Sequence, residues 1–249
     1  MSNVETQPEV VEREAADFND ALRAADPEKI VGWAYAQFAP DLVMSSSFGA
    51  ESALLIHMAT RVMPRITVIF VDTGYHFPET HTFVEQLRSR FDLNIWTYHT
   101  RNDPIAYLHA AGEENPAFRK DPDACCAANK NEPFERAMSE LKPRAWLRGV
   151  RRDQTDVRSR NRFVEWSRRF NCFAISPLLN WTTRDIFNYM KRHDLPYHPL
   201  YEKGYPSISC SPCTRPVQAG EDARSGRWNG TGKVECGINL LNSLDSANL

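Results

Sequence analysis

The chain has 249 residues, enough for one α/β domain of ordinary size. Hydrophobic residues at 42% and charged residues at 25% match a soluble globular protein, and a net charge of −2 gives no global reason to expect nucleic acid. No apolar run approaches the ~20 residues that span a membrane, and the acidic start from Met1 to Glu9 lacks a signal-peptide core. The expected location is the cytoplasm, where paired cysteines are more often metal ligands or catalytic thiols than disulfides.

Residues 1–14 are polar and read as disordered. Helical spacing begins at Ala15, with Phe18, Leu22 and Ala25 on one face, and Asp26-Pro27 starts a second helix through Ile30, Trp33 and Phe38. Asp41 to Ser47 reads as a short buried strand. A small-residue turn, Phe48-Gly49-Ala50, leads from it into a helix from Ala53 to Met63. Such a strand–turn–helix exposes backbone N–H groups to an anion. Its pattern is neither a Walker loop nor a dinucleotide fingerprint. Arg65 to Val71 is a second strand, continuous and β-branched as parallel strands are. It runs into Asp72-Thr73-Gly74, at the end of the strand where open parallel sheets bind ligands, and Pro78 opens the next helix through Phe83, Leu87 and Phe91. Leu93 to Tyr98 is a third strand, and Asp103-Pro104 starts a helix through Leu108. Three βα units in series predict a doubly wound parallel sheet.

Asp121 caps a helix that carries Cys125-Cys126. A fourth strand, Pro143 to Val150, opens into Arg151-Arg152. The arginines between Arg144 and Arg169 are dense enough to line a pocket for a small polyanion, or equally to form a solvated face. Phe163–Trp166 and Cys172–Ile175 form a short β-pair in which Cys172 is a core thiol, and a capped helix follows Thr182 as far as His193. His193 and His198 read as structural. The domain spans 15–204, and 205–249 is a glycine- and proline-rich, mobile, cysteine-bearing tail.

Five of the six cysteines fall in three groups: Cys125-Cys126, Cys210-Ser-Pro-Cys213, and Cys236 within Glu235-Cys236-Gly237. The two pairs can hold a cubane 4Fe–4S cluster or a tetrahedral zinc ion. Adjacent cysteines on a helix project about 100° apart, which favours a larger centre over a single ion. Cys236 is then free to act as an exposed nucleophile, activated by nearby arginines.

Together, Ser45-Ser-Ser-Phe-Gly49-Ala-Glu-Ser52, Asp72-Thr-Gly-Tyr-His-Phe-Pro-Glu-Thr80, Gly149-Val-Arg-Arg-Asp-Gln154 and Glu235-Cys-Gly237 resemble the assimilatory sulfonucleotide reductases, from about Phe38 to Leu240. The two cysteine pairs resemble the branch of that family that acts on adenylyl sulfate (APS) and carries one 4Fe–4S cluster per chain. The resemblance implies an adenine nucleotide alpha hydrolase-like fold. It also implies a thiolate, Cys236, that attacks the sulfur of APS, expels AMP and leaves an S-sulfocysteine, from which thioredoxin or glutaredoxin releases sulfite. It matches Cys125, Cys126, Cys210 and Cys213 to the cluster ligands. Lys130 falls between cluster and substrate sulfate. Ser45, Ser47 and Gly49 match the nucleotide loop, Asp72, Thr73 and Gly74 the adenosine side, Arg151 and Arg152 the phosphosulfate side, and Arg224 and Arg227 further substrate contacts. Such chemistry needs preorganised cations, because a thiolate approaches an already anionic sulfur.

Two departures stand out. Asn239 occupies the place of a family histidine, and Tyr75-His76-Phe77 is closer to the enzymes that use 3′-phosphoadenylyl sulfate (PAPS). The other readings are a PAPS reductase, an adenylating ATP pyrophosphatase on the same fold, whose loop would have room for pyrophosphate where Phe48 stands here, and a non-catalytic iron–sulfur or zinc redox sensor. A homo-oligomer remains open.

Overall fold

A computed structural model describes residues 8–102, 121–228 and 230–241. The helix expected from Asp103 to Leu108 lies outside them. Six strands form one sheet in the order β3-β2-β1-β4-β6-β5: β1 Leu42–Ser45, β2 Thr67–Asp72, β3 Asn94–His99, β4 Ala145–Leu147, β5 Val164–Ser167 and β6 Cys172–Ile175. All neighbours pair parallel except β5 with β6, the short β-pair expected from sequence, which is antiparallel.

The two-residue period of the strands divides the core between the faces. Leu42 and Met44 of β1, with Ala145 and Leu147 of β4, pack on one side with α1 (Pro8–Leu22), α2 (Pro27–Phe38), α3 (Ser52–Val62) and α4 (Pro78–Phe91). Val43, Ile69, Val71 and Trp146 pack on the other, against Phe134 and Met138 of α6 (Glu132–Leu141). Between them lie α5 (Pro122–Cys126) and a π-helical turn, Ala127–Asn131, leading into α6. After β4 come α7 (Asp156–Ser159) and α8 (Thr183–Arg192).

Local chemistry accounts for the helix starts. Asp26 accepts the Lys29 N–H at 2.9 Å, and Asp121 accepts that of Ala124 at 2.8 Å. Thr182 and Asp185 form a reciprocal capping box for α8. One start was misplaced. Helix α1 begins at Pro8, so residues 8–14 are not disordered as expected. The apolar stripe already starts at Val11, which is buried with Ala15 and Leu22, and Asn19 hydrogen-bonds both ways with the backbone of Val164. This contact with the edge strand secures a helix too polar to form alone.

Candidate active site

The chain passes from β1 to β2 on one side of the sheet and returns through β4 on the other, so the sheet reverses its strand order between β1 and β4. Open α/β sheets bind ligands outside the strand ends at such a point. A cleft of about 260 Å³ lies there, lined by Ser45–Ser47 and Gly49 after β1 and by Arg148–Arg151 after β4. The volume approaches the lower end of small-ligand sites, about 300–1,000 Å³.

The turn after β1 is built by Phe48. Its backbone takes the left-handed conformation (φ 47°), and its ring is buried edge-on against Phe70 at 5.2 Å. The ring therefore points into the core and does not fill the cleft, contrary to the reading that it occupies pyrophosphate space. The Ser46 hydroxyl accepts the Phe48 N–H at 3.0 Å. The N–H groups of Ser47 and Gly49 find no acceptor among the described residues and stand at the start of α3.

Cations dominate the rest of the lining. Arg148 is buried and donates to Glu165 at 2.5 Å and to Ser176 at 2.9 Å. Arg151 pairs with Glu51 at 2.7 Å and Asp153 at 3.1 Å. Burial pushes the Glu51 carboxyl up, and Arg151 partly offsets this. Lys130 donates to Ser209 at 2.7 Å. Burial works against its charge, but the surrounding thiols of Cys236, Cys210 and Cys126 outweigh that and raise its pKa. Arg227 lies over the Trp228 ring at 4.4 Å. Lys130 and Arg227 have no carboxylate partner among the described residues. The buried atoms left without a hydrogen-bond partner cluster here too: His76 Nδ1, Arg224 Nε and Arg227 Nε on the cleft, and Asn131 Oδ1 against Gly237.

The tail closes over this cleft. Cys236 is only 8% exposed and lines it, which corrects the expectation of an exposed thiol. A Cβ on Gly237 would lie 2.3 Å from the Asn131 amide, so glycine lets the tail pack on the π-helical turn. Glu235 is fully buried. Burial alone would push its carboxyl up, but the bonds from Arg158 and the nearby Arg224 hold it down at about 2.

Across the wall formed by Lys130, Ser209, Arg227 and Trp228 lies a second, smaller cavity, with Cys125, Cys126, Cys210 and Cys213 on its lining. All four are free thiols. Burial pushes Cys125 up to about 11 and Cys213 up to about 12. The Thr73 hydroxyl is 3.2 Å from Cys210 Sγ, and Asn129 Nδ2 is 3.6 Å from Cys125 Sγ. Among the described residues, no three His, Cys, Asp or Glu side chains converge on a single metal-ion position. Four soft thiols around one cavity are the donor set that a 4Fe–4S cluster or a zinc ion takes. Cys172 stays in the core, its pKa raised by burial to about 12.

Of the residues singled out from sequence, Ser45, Ser47, Gly49, Lys130, Arg151, Arg224, Arg227 and Cys236 meet in the cleft. Asp72, Thr73, Gly74 and Arg152 do not. Thr73 faces the cysteine cavity, and Asp72 accepts the Gly74 N–H and pairs with His99 at 3.6 Å. The reason is the Cys210 loop, which lies against the end of β2: Ser211 N donates to Tyr75 O at 2.7 Å. Arg152 follows Arg151 on extended backbone, turns the other way and holds Asn161 O and Asn180. Tyr75 and Phe77 lie off the cleft, while His76 lines it. In the sequence Arg148 and Arg158 are only members of an arginine-rich stretch, and Glu235 only the neighbour of Cys236. Their partners lie 17 and 77 residues away, beyond any local pattern.

Fold and cleft together define an α/β protein of the adenine nucleotide alpha hydrolase-like type. A model of the phosphoadenosine phosphosulfate reductase domain matches residues 41–216, and the chain belongs to that family. It is 39% identical over 223 residues to the adenosine 5′-phosphosulfate reductase of Halalkalibacterium halodurans, covering 89% of this chain and 95% of that protein. The protein of the same name from Bacillus cereus is 36% identical over 233 residues, covering 92% and 97%. Among solved structures, phosphoadenylyl-sulfate reductase from Candida auris, in a phosphate complex, aligns with a TM-score of 0.72 at 24% identity over 86% of this chain and 100% of that one. Candida glabrata FMN adenylyltransferase shares the fold at a TM-score of 0.59 and 14% identity, over 84% of this chain and 72% of its own.

Proposed function

We propose that this chain is an oxidoreductase of sulfate assimilation that reduces adenylyl sulfate to sulfite and AMP. The observation that carries the reading is the Cys236 thiol on the same cleft as two cations without carboxylate partners, Lys130 and Arg227. Near relatives named for APS support the choice of nucleotide. The Cys236 thiolate attacks the sulfate sulfur, an S–S bond forms, the S–O bond to the nucleotide breaks, and AMP leaves with the electron pair. A dithiol protein of the thioredoxin or glutaredoxin type then attacks Cys236 Sγ. The S–S bond to the sulfonate breaks, sulfite leaves, and the resulting mixed disulfide is resolved by the second thiol of the reductant. Lys130 and Arg227 offset the repulsion between thiolate and sulfate. Ser47 and Gly49 N–H groups suit a nucleotide oxygen at the start of α3.

Cys125, Cys126, Cys210 and Cys213 would hold one 4Fe–4S cluster, which when bound supplies local charge and joins α5 to the Cys210 loop. A cytoplasmic setting fits this donor set, and among the described residues no helix is long and apolar enough to cross a membrane.

The test is sulfite release by anaerobically purified protein with thioredoxin, APS and PAPS being supplied separately, beside the Cys236→Ser variant and an iron assay. Sulfite from APS alone, lost in Cys236→Ser with iron retained, supports the reading. Sulfite from PAPS alone moves the protein to the sister activity. No sulfite from either, with metal bound, favours a redox sensor.

A further inference from the structure

Glu235 is the polar hub of the seated tail. Its Oε2 accepts Arg158 Nε at 2.5 Å, and its Oε1 accepts Arg158 Nη2 at 2.8 Å. Oε1 also accepts the Cys236 N–H at 2.8 Å and Asn239 Nδ2 at 3.3 Å. Arg224 stands 4.0 Å from the same oxygen. Arg158 is anchored in turn by Gln154, whose side chain also accepts the Arg151 N–H at 3.1 Å. A two-pronged arginine–carboxylate bond is both strong and geometrically specific. Here it ties the residue next to the thiol to the turn that follows β4.

The pair also sets the charge of the cleft. Arg148 and Arg151 answer to Glu165 and Glu51. Glu235 answers to Arg158 and, at longer range, Arg224. Without Glu235, two further guanidinium groups would face the cleft unpaired.

We propose that Glu235 is the positioning residue for Cys236: its clamp on Arg158 seats the tail so that the thiol lies beside Lys130, and the same pairing withdraws Arg158 from the ligand. Lys130 and Arg227 are then the cations that meet the ligand's anionic end. The inference rests on Cys236 being the nucleophile.

The experiment compares full-length wild type with Glu235→Gln, which keeps the shape and removes the charge. Two quantities are read: the rate of Cys236 alkylation by iodoacetamide without nucleotide, followed by mass spectrometry, and kcat and KM for APS. Alkylation should rise about tenfold or more as the tail opens locally. kcat should fall about a hundredfold, the scale of a lost near-attack geometry, with KM for APS unchanged or lower, because the freed arginines still attract the anion. Arg158→Gln should reproduce the loss, and the double variant should be no worse than either single one, since the two act as a unit. Arg158→Lys, which keeps the charge but not the fork, should recover only part of the rate. Unchanged alkylation and kcat would overturn the proposal. So would kcat and KM worsening together with a lower thermal midpoint, the mark of a merely structural residue. Should wild type release no sulfite, the functional reading fails, and the alkylation comparison still decides the clamp.

Discussion

The two cavities on either side of Trp228 are built from opposite materials. On the cleft side, Arg148, Arg151 and Arg158 are each answered by a carboxylate, Arg224 stands 4.0 Å from Glu235, and among the described residues Lys130 and Arg227 are the lining cations without one. On the other side, four thiols line a smaller space, and Cys125 and Cys210 have weak hydrogen bonds at sulfur. The first arrangement suits a mobile anion that must enter and leave. The second suits a resident group that is held by covalent bonds. The difference shows how one sheet edge can carry two chemistries without mixing them, because carboxylates answer most of the buried cations and leave few for a ligand.

The contrast is broken most completely by Cys210→Ser, which should lose essentially all bound iron in anaerobic preparations. Cys172→Ser, outside both cavities, should keep its iron and lose about 1–3 kcal/mol of stability from a buried hydroxyl. If both variants keep iron, the cysteine cavity is not the metal site. Next in size is Lys130→Met, which sits on the shared wall. It should lower kcat about a hundredfold or more, and iron content measured alongside tells charge loss from cluster loss. Arg148→Met tests the paired cations, leaving Glu165 with less compensation. Thermal unfolding should report about 3 kcal/mol lost, as for other broken buried pairs.

The smallest effect concerns acid, and it separates scaffold from tail. Burial lowers the His198 pKa from 6.5 to about 4, with Thr80 Oγ1 3.1 Å from its Nε2 and the Leu200 N–H donated to its Nδ1. Between these values the unfolded chain takes up a proton that the folded one refuses, so stability falls as pH drops from 6.5 to 4. Glu235, held at about 2 against an ordinary 4.5, contributes stability above 4.5 that is lost only as pH falls towards 2. Urea midpoints at pH 7 and 5 should therefore differ less in His198→Gln than in wild type, while Glu235→Gln should leave that difference intact.

Most of the scaffold was legible because period and punctuation are local. Continuous apolar runs in β1 and β4, Pro78 opening α4, and the Thr182 cap all lie within a few residues of the element they define. The cysteine grouping was legible for the same reason. What escaped depends on contacts distant in sequence. Residues 8–14 fold because α1 meets β5, and Cys236 is buried because Glu235 finds Arg158. The end of β2 reads as a ligand-binding position, but the Cys210 loop lies there, so Thr73 faces sulfur rather than the cleft.

The π-helical turn has one more consequence. Cys126 caps its start and Lys130 lies near its end, four residues further along one continuous helical backbone. A group bound to both Cys126 and the Cys210 loop would therefore also fix where the Lys130 ammonium stands in the wall of the cleft.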